Sequence, residues 1–223
     1  MNSQREAKDG VGMTSKRTRS RMVSRLRESG ITDQVILDSM ASVPRHLFVE
    51  EALSSRAYDD VSLPIGFGQT ISQPYTVARS CELARADQPV TRVLEIGTGC
   101  GYQAAVLSNF SKEVYSIERI SSLLSKARAR LRNLNYRNVR VKHSDGSGGL
   151  ENLLPLDAIV VAAGLDSIPD YFIKLLAVGG RVVAPIGREV QQLTQVVKRE
   201  SRIEVIKHET VTFVPFLSGV VVK

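Results

Sequence analysis

Tryptophan is absent from the 223 residues, cysteine occurs twice and histidine three times. Cys81 and Cys100 are too few for a disulfide framework, which excludes a stapled secreted scaffold. His46, His143 and His208 are too scattered to give a metal-ligand spacing, so no metal is expected. Long hydrophobic runs are lacking too. No apolar stretch nears the roughly 20 residues of a membrane span, and the first residues, with Arg5, Lys8, Lys16 and Arg17, lack the apolar segment of a secretory signal. A cytoplasmic protein without membrane association is expected. Internal repeats and low-complexity tracts are missing as well.

What is present is a globular mixture, 43% hydrophobic and 24% charged, which argues against disorder along the chain. A chain of this length buries roughly 70 to 75% of its unfolded surface, so a single domain is expected without staples. The net charge of +7 hints at nucleic acid until it is divided. Residues 1–30 hold 8 Lys or Arg against 3 Asp or Glu, and the remainder holds 22 against 20, so the excess belongs to the N-terminal end. No reader motif or aromatic platform accompanies the basic stretches, and nucleic acid is not expected as a partner.

Three regions follow from the pattern. Residues 1–14 read as a mobile basic extension with no apolar period. Residues 15–89 hold two short helices and a long loop: Gly30 reads as the C-cap of the first helix, Thr32 as the N-cap of the second, and Val43-Pro44 as its end. Gly, Pro, Ser and Gln then punctuate residues 58–75 as an irregular loop, with a helix after it. Residues 90–223 alternate buried strands (92–96, 114–117, 139–141, 158–162 and 181–185) with helices, the clearest at 121–134. That order implies an α/β fold with a mostly parallel sheet covered on both faces. Residues 192–199 and 202–211, with no helix between, read as an antiparallel hairpin closing one edge. The whole is expected to form one globular unit from residue 15 onward.

The most informative local pattern is Val93-Leu94-Glu95-Ile96-Gly97-Thr98-Gly99-Cys100-Gly101-Tyr102, a buried strand running into glycines and then a helix. Such a turn lets backbone N–H groups approach a ligand at the carboxyl end of a strand, where open parallel sheets bind. Read alone, it is equally a glycine-rich turn with no ligand. Glu118 ends the next strand, a place from which a carboxylate reaches both ribose hydroxyls; Asp145-Gly146 follows the third, where an acid can meet an adenine amino group; Glu95 can orient the loop or hold an ammonium. Each carboxylate singly suits a surface or a cap, but together they favour a nucleoside cofactor. An NAD-dependent oxidoreductase is the alternative, although Tyr102 stands where the dinucleotide fingerprint wants its last glycine.

This arrangement resembles the Rossmann-like S-adenosylmethionine-dependent methyltransferases, which implies a seven-stranded sheet with one reversed strand. Within them, Val43-Pro44-Arg45-His46-Leu47-Phe48-Val49, Leu63-Pro64-Ile65-Gly66-Phe67-Gly68-Gln69-Thr70-Ile71-Ser72-Gln73-Pro74 and Val93 to Gln103 closely resemble the prokaryotic protein-L-isoaspartate O-methyltransferases. The similarity runs from about residue 31 to the C-terminus. It implies methyl transfer from S-adenosylmethionine to the α-carboxylate of isoaspartyl residues in damaged proteins and peptides, the first step of repair. It also implies a catalytic Ser72, with Gln69 and Thr70 as supporting loop contacts counted with the cofactor set of Glu95, Gly97, Thr98, Gly99, Gly101, Glu118, Asp145 and Gly146. Residues 163–167 depart from the family's wording near the expected substrate mouth, Cys100 reads as a small residue tolerated in the turn, and His46 as structural or substrate-adjacent. Other methyltransferase chemistry, and a fold that binds without turnover, are the remaining alternatives.

Overall fold

The structure, a computed structural model, describes residues 9–222, so residues 1–8 of the expected extension lie outside the described residues. Gly12–Thr14 form a 3-10 turn, and the Gly12 carbonyl accepts a hydrogen bond from the Thr18 hydroxyl at 3.1 Å. Helix α1 (Lys16–Glu28) starts at Ser15, whose Oγ accepts from the Thr18 amide, and it buries Met22 and Leu26. Gly30, at φ +99, turns the chain out of it. Helix α2 (Gln34–Ser42) is capped by Asp33, whose Oδ1 accepts from the Val35 amide at 2.9 Å. The expected cap, Thr32, instead donates its amide to Glu82 of helix α3 (Pro74–Arg85) at 2.7 Å. That partner lies fifty residues away in the chain, so no local pattern reports it.

The loop expected between α2 and α3 contains structure of its own. Strand β1 (Leu63–Gly66) pairs antiparallel with β2 (Gln69–Ile71), Leu63 facing Ile71. Gly66, Phe67 and Gly68, at φ 90, 56 and 68, make the turn between them. Strands of four and three residues that include Pro64 and Gly66 are too short to show an alternating pattern.

Seven further strands, β3 (Val90–Ile96), β4 (Ser111–Glu118), β5 (Val139–His143), β6 (Leu156–Val161), β7 (Leu176–Ile186), β8 (Gln191–Lys198) and β9 (Ile203–Val211), form one sheet. Their spatial order is β5-β4-β3-β6-β7-β8-β9. The pairs from β5 to β7 are parallel, while β8 runs antiparallel to both neighbours and is the one reversed strand. The anticipated terminal hairpin is therefore β8–β9.

Val93, Val114, Ala158 and Val160 pack with α1 to α3, α4 (Tyr102–Leu107) and α5 (Ser121–Asn133) on one face. Leu94, Ile96, Ile159 and Val182 pack with α6 (Asp170–Leu175) and the 150–153 turn on the other. With both faces covered, neighbours such as Val93 and Leu94 are buried on opposite sides, which is why these strands read as continuous apolar runs. β4 and β6 flank β3 on opposite sides, so the chain order reverses at β3. The carboxyl end of β3 is thus the topological switch point where such sheets bind ligands. Among the described residues, no helix is long and apolar enough to cross a membrane.

Candidate active site

The glycine turn sits at that switch point. Gly97 and Thr98 donate their amides to the Ile117 carbonyl at 2.8 and 3.0 Å, tying the turn to the end of β4. Gly101, at φ +91, opens α4, and a Cβ there would lie 3.2 Å from Leu131 Cγ of α5. Gly99, at φ +53, would place a Cβ 3.2 Å from Ile65 Cδ1 of β1. Its glycines therefore let the turn pack between the β1–β2 hairpin and α5 as well as face a ligand.

Around the turn lies a solvent-open cleft. Gln69, Thr70 and Ser72 line one wall; Gly97, Thr98, Gly99, Glu118 and Asp145 line another. Gly101, Gly146 and Glu95 do not reach it. Gly101 backs onto α5, a Cβ on Gly146 would meet Ile96 Cδ1 at 3.0 Å, and Glu95 lies wholly buried under the turn.

The acids have partners that spacing alone leaves unseen. Glu118, 5% exposed, accepts from the Gly99 amide through Oε2 (2.8 Å) and from the Ile120 amide through Oε1 (2.9 Å). It clamps the glycine turn, and each oxygen keeps a lone pair for a ribose hydroxyl. Asp145 accepts from the Gly219 amide at 2.6 Å and from the Ser147 amide and hydroxyl, contacts that hold its carboxyl below the usual range. Glu95 accepts from the Ser116 hydroxyl, and its Oε1 takes no hydrogen bond of good geometry. Burial pushes Glu95 up to about 8, opposed by Ser116 and Gln103 and reinforced by the charge of Glu118.

The sign of that shift predicts a pH dependence. Between the ordinary carboxyl range and about 8, the folded chain holds a proton that the unfolded chain has released, so Glu95's contribution to stability falls as pH rises through the window. Glu95→Gln is expected to flatten this decline, checked by thermal melts of both proteins from about pH 5 to about pH 9. Parallel melting curves across the range would show that Glu95 does not titrate there.

Two parts of the cleft had no forecast as site residues. Gln103 lines it, its side-chain amide directed at the buried Glu95 carboxylate. Residues 213–222 form a strap across the carboxyl ends of the strands, and Val214 to Leu217 line the cleft. Gly164 donates to the Val214 carbonyl and accepts from the Phe216 amide, both at 2.8 Å, while Gln191 holds both backbone groups of Phe213. At its far end, the Val221 amide donates to the Arg119 carbonyl at 2.7 Å. The departure at 163–167 thus lies where the strap is fastened. Backbone pairing of this kind leaves no periodicity in the sequence.

Ser72 ends the other wall, just before Gln73, the N-cap residue of α3. It is not a helix cap. Among the described residues its hydroxyl makes no hydrogen bond, which leaves it free for a ligand. Cys100 is buried, and burial pushes its thiol up, away from reactivity. His46 is also buried and shares a 2.8 Å hydrogen bond with the Tyr58 hydroxyl, a structural place. Tyr102, at the position a dinucleotide fold gives to glycine, is buried behind the turn with its hydroxyl on Met40 Sδ.

A family model described as protein-L-isoaspartate(D-aspartate) O-methyltransferase matches residues 17–221. The chain belongs to this family. The protein-L-isoaspartate O-methyltransferase of Methylobacillus flagellatus is 57% identical over 217 residues, 96% of this chain and 97% of that protein. That of Nitrosomonas eutropha is 53% identical over 215 residues, 95% and 96% of the two chains. A solved protein-L-isoaspartate O-methyltransferase at 28% identity has a TM-score of 0.79 over 88% of this chain and 65% of that one. One from Plasmodium falciparum, solved with S-adenosyl-L-homocysteine, shares the fold at 24% identity, with a TM-score of 0.78 over 89% of this chain and 98% of that one.

The chain is accordingly an S-adenosylmethionine-dependent protein O-methyltransferase, and the cleft fits that cofactor on its own evidence. Glu118 retains lone pairs beside the turn, and Gly97, Thr98 and Gly99 line the same cleft. For this methyltransferase, Glu118→Gln is expected to weaken S-adenosylmethionine binding by about 1 to 3 kcal/mol, through loss of charge-assisted hydrogen bonds and a looser turn. Calorimetry that finds unchanged affinity would leave Glu118 only its clamping role.

Proposed function

We propose that this methyltransferase esterifies the α-carboxylate of isoaspartyl residues in damaged proteins and peptides, with Ser72 orienting that carboxylate in the cleft. The observation that carries the reading is the unengaged Ser72 hydroxyl, set in the wall across from the glycine turn. S-adenosylmethionine supplies an electrophilic sulfonium methyl when bound. The chain's own task is placement. A carboxylate with an ordinary pKa of about 3.9 is already ionised at neutral pH, so no strong base is needed. The Ser72 hydroxyl donates one hydrogen bond to one carboxylate oxygen, leaving the other oxygen to face the cofactor side. A single neutral donor fixes direction without over-stabilising a charge that diminishes in the transition state.

On this reading Gly97, Thr98, Gly99, Glu118 and Asp145 hold the cofactor, while Gln69 and Thr70 close over it. Glu95, Gly101 and Gly146 support the turn from behind. Residues 15–89 provide the substrate wall and residues 90–223 the cofactor wall of one unit. The methyl ester closes spontaneously to a succinimide that reopens in part as normal aspartate, so the activity initiates repair. A cytoplasmic setting accords with two buried free thiols and no disulfide among the described residues. The test offers S-adenosylmethionine with an isoaspartyl peptide and with its aspartyl isomer. Methyl transfer, followed by methanol release, is expected with the isoaspartyl peptide alone; equal transfer to both would refute the assignment.

A further inference from the structure

Arg45 opens a 3-10 segment, Arg45–Phe48, and its side chain is fully buried. Among the described residues no carboxylate forms an ion pair with it. Its guanidinium spans two distant backbone segments instead. Nε donates to the Ala57 carbonyl and Nη2 to the Ser72 carbonyl, each at 2.7 Å. The Tyr102 ring lies against the same group, 4.7 Å from Cζ to centroid. Tyr102 is the first residue after the glycine turn.

A buried cation without a counter-ion is destabilising, and an apolar side chain of similar volume would pack such a core at less cost. Arginine brings something that an apolar residue lacks, a rigid planar fork that stays charged when buried. Here one prong fixes the carbonyl of Ser72 while the face of the fork rests on the residue that follows the glycine turn. Fixing a carbonyl fixes its peptide plane, and that plane limits where the Ser72 side chain points.

We propose that Arg45 is a positioning residue for methyl transfer, holding the Ser72 carbonyl while its guanidinium rests on Tyr102 and so setting the place of the Ser72 hydroxyl relative to the glycine turn. The inference rests on the role given to Ser72. Two other roles make different forecasts. A cation that simply attracts the anionic substrate would be replaced adequately by lysine. A plug in the core would alter melting temperature and leave kcat alone.

The test measures kcat, peptide KM, S-adenosylmethionine affinity and thermal melting for Arg45→Lys and Arg45→Gln, then combines Arg45→Lys with Ser72→Ala. Lysine keeps the charge but is a point donor, not a fork. Both single variants are expected to lose roughly 10- to 100-fold in kcat with cofactor affinity within about threefold of wild type. The double variant is expected to be no slower than Ser72→Ala, within about threefold, since Arg45 acts through a hydroxyl that is already gone. Wild-type kcat in Arg45→Lys, multiplicative losses in the double variant, or loss of cooperative melting in both single variants would each overturn the inference. Wild-type turnover in Ser72→Ala would refute the serine's role before Arg45 is varied, so the two failures are distinguishable.

Discussion

Ser72→Ala is expected to lower turnover on an isoaspartyl peptide by about one to three orders of magnitude while S-adenosylmethionine affinity stays within a few-fold. The asymmetry follows from where the hydroxyl stands. It makes no hydrogen bond to the described residues, so its removal leaves no buried group unsatisfied and the melting temperature should hardly move. Nor does the glycine turn depend on it, since that turn is tied to Ile117 and Glu118. Raising the pH from about 6.5 to about 8.5 should not rescue the variant, because no proton is taken from the ionised nucleophile. Ser72→Cys should keep part of the activity as a weaker donor of similar shape. Normal turnover by Ser72→Ala would shift the positioning role to backbone groups of residues 69–73.

Gly99→Val is expected to cost at least about 100-fold in S-adenosylmethionine affinity, from strain rather than from simple filling of the cleft. The residue sits at φ +53, where a β-branched side chain is a steric outlier, and the new Cβ would point 3.2 Å from Ile65 Cδ1. Relief requires the turn or the β1–β2 hairpin to move. Either shift disturbs the 2.8 Å bond from the Gly99 amide to Glu118, the contact that joins the turn to that carboxylate. Gly99→Ala, with no branching, should lose less. Calorimetry on folded variants separates the cases; tight binding by the valine protein would show that the turn tolerates displacement and that its conformation does not govern affinity.

The order of strands and helices from β3 onward is visible in the sequence because both faces of the sheet are buried. Apolar runs of strand length, separated by amphipathic patterns such as Leu123, Leu124, Ala127 and Leu131 in α5, leave few other folds. The glycine turn is legible for the same local reason. The partners of its acids are not. Glu118 reads as a free ribose ligand, yet its oxygens already hold two amides, and Asp145 is fastened to Gly219, seventy-four residues further on. The strap at 213–222 stays hidden because its contacts are made largely by backbone, which every residue possesses. Thr32 yields the cap of α2 to Asp33 because its hydroxyl as well as its amide turns to Glu82, again a choice made through space. Arg45 belongs with these: the motif displays the residue, and only the fold displays the Ser72 carbonyl at the end of it.

A crystal structure of this chain with S-adenosyl-L-homocysteine and an isoaspartyl peptide would show directly whether Ser72 holds the substrate carboxylate. The nucleoside is expected between the glycine turn and Glu118, the isoaspartyl α-carboxylate within hydrogen-bond reach of Ser72 Oγ, and the peptide running out between residues 69–73 and the strap. A peptide bound elsewhere, or a carboxylate held by other groups with Ser72 Oγ facing solvent, would contradict that placement.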